Sequence, residues 1–494
     1  MDIFLSAFEI ISRWDVLLAL VIGSVGGVMI GAVPGVGPAV AIAILLPVTF
    51  GMDPIVGLTL LLGIYGSSLY GGSIPAILVN TPGTPVNALT TYDGYPLTQQ
   101  GQAPRALGLA FGGSFIGGII AVICLILLAP VLAKVAPMFG SREIFLAALL
   151  GCVMVVVAHR GQSLAAGALL FFGIFIHTIG MEANRYTMRF TYDQSWLIQG
   201  VDLIVVVLGL FAVSQAFILL TEKERPGQVP KLEGSVPRAF LEVFRHKKVA
   251  ARGAGCGTLM GIIPGVGEFV SQFLSYSWSR SRSKTPELFG KGSPEGLVAS
   301  ESANNSVPPA AMVPLLALGI PGEELTAMML TVFYVHNVIP GPALFQNNMD
   351  FIIAIYICLA LLNILALVFL LGATRPLLRV LAIPSRFMGM VILTLSFVGI
   401  YSLRNSVIDC LVAGAFGLLG VMLKRLKLPT VPIILGIVLG GIMEERFRTS
   451  MPRVETLTDW IERPVAQVIF ALICFVLLVH IWGLIKEWRL RKAS

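Results

Sequence analysis

Five stretches without an acidic or basic Lys/Arg residue, 16–33, 106–133, 203–220, 351–373 and 465–485, are each long enough to cross a bilayer core as a helix. A span of about 20 apolar residues covers about 30 Å of hydrocarbon. Shorter apolar stretches at 144–158, 163–181, 387–403 and 428–443 add further candidates. The runs are continuous rather than alternating in ten-residue segments, which selects helices over a barrel. The expectation is an all-α polytopic membrane protein with roughly 11 or 12 transmembrane helices plus non-spanning pieces.

Composition agrees. Of 494 residues, 56% are hydrophobic and 12% charged, with a mean hydropathy of +0.87, outside the range of soluble domains. The net charge of +7 needs no nucleic acid, because Lys and Arg gather in loops beside spans. The six cysteines stand singly in or near apolar segments, without metal-ligand spacing, and are expected to pack as small apolar residues. No basic stretch with a short apolar core and cleavage site opens the chain, so the first span is expected to remain. There is no Walker loop, HExxH or GxSxG, so no catalytic residue or transition-metal site is expected and an ion gradient is the simplest driver.

The largest polar connection holds Lys223, Arg225, Lys231, Arg238, Arg245, Lys247, Lys248 and Arg252. Its basic excess predicts a cytoplasmic location. It divides the chain into a first membrane repeat at 1–221, a linker at 222–251, a second repeat at 252–450, and a final span with a basic tail at 451–494. The N-terminal stretch lacks a basic excess, which predicts N-terminus outside and C-terminus inside. Two repeats on that topology would be inverted.

The repeat itself is visible in the residues. Gly27, Gly31, Pro34, Gly35, Val36 and Gly37 match Gly257, Gly261, Pro264, Gly265, Val266 and Gly267 in register. Further along, Gly72-Ser73-Ile74-Pro75 resembles Asn305-Ser306-Val307-Pro308, and Val79-Asn80-Thr81-Pro82-Gly83 resembles Leu318-Gly319-Ile320-Pro321-Gly322. The spacing between partners widens, which predicts an insertion near 279–293 in the second copy.

Proline inside a helix deletes an amide donor, and adjacent glycine permits a sharp turn, so helices should break at Pro34-Gly35 and Pro264-Gly265. In lipid such a break is tolerated where protein or water satisfies the backbone, typically at a midplane binding cavity. A half-helix starting there offers amides and a positive dipole end to an anion. Simple kinking is the competing explanation for one break; matched breaks in both halves favour a substrate site. The candidate substrate contacts are Gly35, Val36, Gly37, Asn80, Thr81, Gly83 and Thr84 in the first half. Gly265, Gly267, Asn304, Asn305, Ser306 and Gly322 are their counterparts in the second. Ser67, Ser73, Ser302, Asn304 and Glu301 are candidate ion ligands, since hydroxyl and carbonyl oxygens suit a hard cation. Packing by small polar residues is the alternative for this set.

Acids within membrane segments are costly and so usually functional. Glu268 follows the second Pro-Gly-Val-Gly, and Glu323-Glu324 follow Pro321-Gly322, with no acids at the matching positions of the first copy. Cation coupling, proton carriage and helix capping all fit them. His177 and His336 are lone and read as loop or interface residues.

These motifs together resemble the large membrane subunit of the tripartite tricarboxylate transporter family, the TctA-like proteins. The resemblance rests on Pro34-Gly35-Val36-Gly37-Pro38, Tyr70-Gly71-Gly72-Ser73-Ile74-Pro75, Asn80-Thr81-Pro82-Gly83-Thr84-Pro85 and Tyr92-Asp93-Gly94-Tyr95-Pro96. Pro264-Gly265-Val266-Gly267, Ser302-Ala303-Asn304-Asn305 and Leu318-Gly319-Ile320-Pro321-Gly322 extend it through the second half. It implies a secondary carrier in the bacterial inner membrane that takes up carboxylates such as citrate. It further implies sodium as coupling ion, no other cofactor, and two partners: a small four-helix membrane subunit and a periplasmic solute-binding protein. An anion channel, or a carrier working without a binding protein, is the alternative.

Overall fold

The computed structural model describes residues 2–159, 161–182, 186–221, 234–264 and 266–493. The chain is almost entirely helical, and nine helices among the described residues are long and apolar enough to cross a membrane. Several further helices, such as Ser163–Thr178 and Glu324–Val335, are apolar but shorter. The protein is therefore an all-α polytopic membrane protein. Strand structure among the described residues is limited to one antiparallel pair, Gly180–Met181 (β1) and Met188–Arg189 (β2).

After a short helix, Asp2–Ser12, the first half runs through Trp14–Gly31 (α1), breaks across Pro34-Gly35, and restarts as Pro38–Thr49 (α2). Proline at the first helical position is tolerated there, since its missing N–H would have no partner in any case. Asp53 then caps Pro54–Val79 (α3) through the Ile55 amide at 3.2 Å. Thr90–Gln99 (α4) and the long Ala103–Val135 (α5) follow. The second half reproduces this order with Lys247–Ile262 (α6), Gly267–Arg282 (α7), Pro294–Leu318 (α8), Glu324–Val335 (α9) and Met349–Leu377 (α10). Ser293 caps α8 through the Gly296 amide at 3.1 Å.

Glycine ridges hold each unit together. A Cβ on Gly23 or Gly27 would stand 2.8 Å from the Leu60 or Gly63 carbonyl oxygen of α3, and one on Gly31 would strike Ser68. In the second half Gly253 lies on Ala299 and Ser302, Gly257 on Ala303 and Ser306, and Gly261 on Val307 and Ala310. In both units contacts advance together along the two helices, so α1 runs parallel to α3 and α6 parallel to α8. The returning half-helices α2 and α7 make this possible.

These contacts refine the repeat register. α3 and α8 both end on a left-handed residue, Asn80 (φ 54°) and Gly319 (φ 70°). Five residues earlier, the Pro75 and Pro314 carbonyls accept the Thr81 and Ile320 amides, each at 3.3 Å. Pro75 therefore corresponds to Pro314, and the sequence pairing with Pro308 is corrected. Repeated Ser-x-Pro spelling produced the false match. The extra residues of the second copy fall in α7, 16 residues against 12 in α2, and in the connection 283–293, which is longer than 50–53.

The two units meet head to tail. Asp93 on α4 accepts from the Gly290, Gly292 and Ser293 amides at 2.8–3.0 Å and from the Tyr276 hydroxyl at 2.9 Å. The neighbouring Gly94 packs on Ile77 near the end of α3, so the start of α8 lies by the end of α3. Conversely Tyr65, earlier in α3, reaches Glu323 just beyond α8. α3 and α8 thus run antiparallel. Asp93, 1% exposed, is the buried latch between units. Asp93→Ala is expected to cost about 3 kcal/mol, since each hydrogen bond to a charged group contributes about 1.5–3 kcal/mol. The check is thermal unfolding of the purified chain in detergent, where an unchanged Tm refutes the latch.

Of the basic connection, residues 222–233, and Gly265 in the second break, lie outside the described residues. The remainder of the connection is folded: Val236–Phe240 is helical, Gly108 of α5 abuts Ala239, and Arg105 pairs with Glu242 at 2.6 Å.

Candidate functional site

Two groups of polar side chains lie inside the helix assembly and a third lines an open cavity. The first is built around Glu301 on α8, which accepts from the Thr90 hydroxyl and, at 2.8 Å, from the Ser114 hydroxyl of α5. Ser114 having spent its hydrogen, its oxygen accepts from Asn305 Nδ2 at 2.7 Å. Beside it Asn87 donates to the Leu69 carbonyl (3.1 Å) and to Ser73 Oγ (3.2 Å), and bonds Thr84. On the same helix Asn304, fully buried, accepts from Gln272 Nε2 of α7 at 2.9 Å. Its own Nδ2, Gln272 Oε1 and Ser67 Oγ have no partner among the described residues.

The second group is acidic. Tyr65 on α3 reaches Glu268 Oε1 at 3.0 Å and also Glu323 Oε1. A phenol carries one hydrogen. Both contacts are hydrogen bonds only when one of the two carboxyls holds a proton. Glu323 also begins α9, its amide donating to Thr326 Oγ1 at 3.0 Å. Glu324 Oε2 has no partner among the described residues. Across from this group, Lys424 on the span Val407–Arg425 donates to Ser214 Oγ (3.0 Å) and Gln215 Oε1 (2.9 Å). Those two residues directly follow a π-helical stretch, Leu208–Val213, a local widening often found at functional sites. Gln215 also borders Gly35 in the first break.

The third is a wide cavity of about 690 Å³ lined by His177, Arg189, Glu444 and Arg448, reaching Ala327 and Thr331 of α9. Glu444 binds Arg189 at 2.6 Å and Arg448 at 2.7 Å, and Arg448 also binds Glu182.

The sequence-nominated residues divide between these places and the breaks. Gly35 adopts φ +82° and Gly37 precedes α2, with Val36 buried between them. Gly267 (φ +66°) opens α7 beside Glu323 Oε2. Gly83 donates its amide to the Gly72 carbonyl at 3.2 Å, and Gly322 sits in the equivalent position against Gly261 and Ala311. Thr84, Asn304, Asn305, Ser67, Ser73 and Glu301 join the first group. Asn80 and Thr81 stand exposed at the end of α3 and do not. Ser302 and Ser306 turn back onto their own helix, donating to the Val298 and Ser302 carbonyls. His177 lines the wide cavity, 3.7 Å from Glu444, while His336 caps α9 beside the Thr49 carbonyl.

Sequence reasoning missed Gln272, Tyr65, Lys424 and the Arg189–Glu444–Arg448 cluster. Gln272 and Tyr65 carry no motif. Lys424 was hidden as one basic residue among several at a span end, and the arginines look like ordinary loop charges. A lysine inside the last turn of an apolar span was the one available signal.

Comparison with known proteins follows the same lines. The family model for the tripartite tricarboxylate transporter TctA family matches residues 17–435. An uncharacterized 52.8 kDa protein from the TAR-I ttuC' 3' region of Agrobacterium vitis is 33% identical over 434 residues, 87% of this chain and 86% of that protein. A second uncharacterized protein, from the TAR-II ttuC' 3' region of the same organism, is 33% identical over 195 residues, 40% of this chain and 81% of that protein. No solved structure matches. Family match, multi-pass helices and paired breaks agree: the chain belongs to the TctA family and is a membrane component of a tripartite tricarboxylate transporter.

Proposed function

We propose that the protein is the carrier subunit of a sodium-coupled uptake system for carboxylates, tricarboxylates such as citrate or related di- and monocarboxylates, in the bacterial inner membrane. Two inverted repeats form the carrier; the antiparallel course of α3 and α8 supports that arrangement. A periplasmic binding protein delivers the substrate and a small four-helix subunit completes the complex.

The observation that carries this reading is the buried, uncharged pair Gln272–Asn304, which joins a half-helix to the long helix α8 and keeps a donor and an acceptor unpartnered. Orphaned polar atoms inside a protein cost about 1–3 kcal/mol each, and a ligand that completes them accounts for their retention. Asn304 Nδ2 is a donor suited to a carboxylate oxygen. The half-helix starts at α2 and α7 add dipole ends of the same sign. The wide cavity reaches α9 and serves as an aqueous vestibule; its Arg189 and Arg448 are ion-paired with Glu444 and Glu182. Movement of one unit against the other then alternates access.

Uptake of radiolabelled di- and tricarboxylates, in cells carrying all three components, tests the reading. Saturable uptake that requires sodium and the binding protein is expected. Flux that persists without the binding protein and follows only the substrate gradient identifies a channel instead.

A further inference from the structure

A small space lies where α3, α5, α8 and α10 cross, joining both units. It measures about 30 Å³ and its polar wall consists of Ser67 and Tyr70 of α3, Asn305 of α8 and Asn363 of α10. About 10–15 Å³ suffices for one water-sized particle, so the space admits a single ion or water and excludes a carboxylate.

The wall presents oxygens rather than donors. Ser67, 1% exposed, has no hydrogen-bond partner for its Oγ among the described residues. Asn305 has its Nδ2 committed to Ser114, in an orientation fixed because Ser114 donates to Glu301; its Oδ1 therefore faces the other way. Asn363 likewise commits Nδ2 to the Phe115 carbonyl at 3.1 Å, and its Oδ1 is the atom met by the Tyr70 hydroxyl. Pro308 and Pro309 line the same space. Neither has an N–H, so the Asn304 and Asn305 carbonyls one turn earlier lose their helical donors. A doubled proline in a buried helix is thus a device for baring two adjacent carbonyl oxygens. Gly118 is required beside Asn363, since a Cβ there would stand 2.7 Å from Oδ1.

We propose that this space binds one dehydrated monovalent cation, sodium, through Ser67 Oγ, Asn305 Oδ1, Asn363 Oδ1 and the Asn304 and Asn305 carbonyls. Hard cations take oxygen ligands, and divalent sites use several carboxylates. Here the donors are neutral and one acid, Glu301, stands behind Asn305 through Ser114, a charge balance suited to a single positive charge. Asn304 would then offer its carbonyl to the ion and its side-chain amide to the substrate, coupling the two through one residue. This assignment deepens the transport reading and rests on it for the ion's purpose, but binding is measured without substrate or partners.

The test is titration of the detergent-purified chain with NaCl against choline chloride at constant ionic strength, read by Tm and by retention of radioactive sodium. A sodium-specific rise in Tm is expected, with about one ion retained per chain. Ser67→Ala deletes a hydroxyl that has no partner among the described residues, so it keeps the fold; it and Asn363→Ala are expected to weaken sodium affinity about tenfold. Ser24→Ala, which removes another unpartnered buried hydroxyl on α1, leaves affinity unchanged. Sodium that shifts Tm no more than choline, or Ser67→Ala that binds sodium like the parent, overturns the site. Sodium binding alongside sodium-independent uptake upholds the site and removes sodium coupling from the transport reading.

Discussion

Gly257→Val prevents the second unit from assembling, so the variant is recovered as aggregate or is degraded, whereas Gly255→Val is recovered like the parent. Both glycines lie on α6, two residues apart. Gly257 faces α8, where an added Cβ would overlap the Ala303 carbonyl oxygen and stand 2.6 Å from Ser306 Oγ; one added at Gly255 would meet no other part of the described chain within 4 Å. Overpacking a core costs about 1–3 kcal/mol when side chains can yield. Here the obstacle is backbone in a helix that also carries three interior prolines, so it cannot yield without unseating α8 from α5. The expected cost exceeds about 3 kcal/mol. Small residues let backbones approach in this way because lipid gives helices no hydrophobic reason to associate. Detergent extraction followed by size-exclusion chromatography reads the result; a monodisperse Gly257→Val protein of normal yield contradicts it.

Much of this was legible in advance, because the same physics writes the sequence and the contacts. The apolar runs required helices, and Pro34-Gly35 and Pro264 required breaks, and the helices end at Gly31 and Ile262 accordingly. The glycine ladder Gly23-Gly27-Gly31 against Gly253-Gly257-Gly261 was half seen, as a repeat rather than as a contact face. What stayed hidden depends on distance in the chain. Thr90 and Ser114 meet Glu301 across more than 180 positions, and Tyr65 meets Glu323 across 258. No local spacing encodes such pairs. The register error at Pro308 has the same root: Pro308, Pro309 and Pro314 in the second copy's helix offered more than one match to Pro75, and only the cap residues Asn80 and Gly319 decide between them.

The double substitution Asn304→Leu/Gln272→Leu separates function from stability. Both residues are fully buried, and each leaves one polar atom without a partner among the described residues while sharing one 2.9 Å hydrogen bond. Removing one partner alone strands the other, so Asn304→Ala should both destabilise the chain, by about 1–3 kcal/mol, and abolish uptake. Removing both polar groups together replaces two orphaned atoms with apolar surface of similar size, a change that is neutral or stabilising in a buried setting. The double variant is therefore expected to unfold at or above the parent's Tm in choline, yet to lose carboxylate uptake at least about 100-fold, the pattern expected where a site holds strain for its ligand. A scaffold role for the pair predicts the reverse, a lower Tm with uptake in proportion to the folded protein present. Uptake in cells, normalised to protein extracted from the same membranes, distinguishes the two. A stable double variant that transports normally removes Gln272 and Asn304 from the substrate site, and with them the observation on which the carboxylate assignment stands.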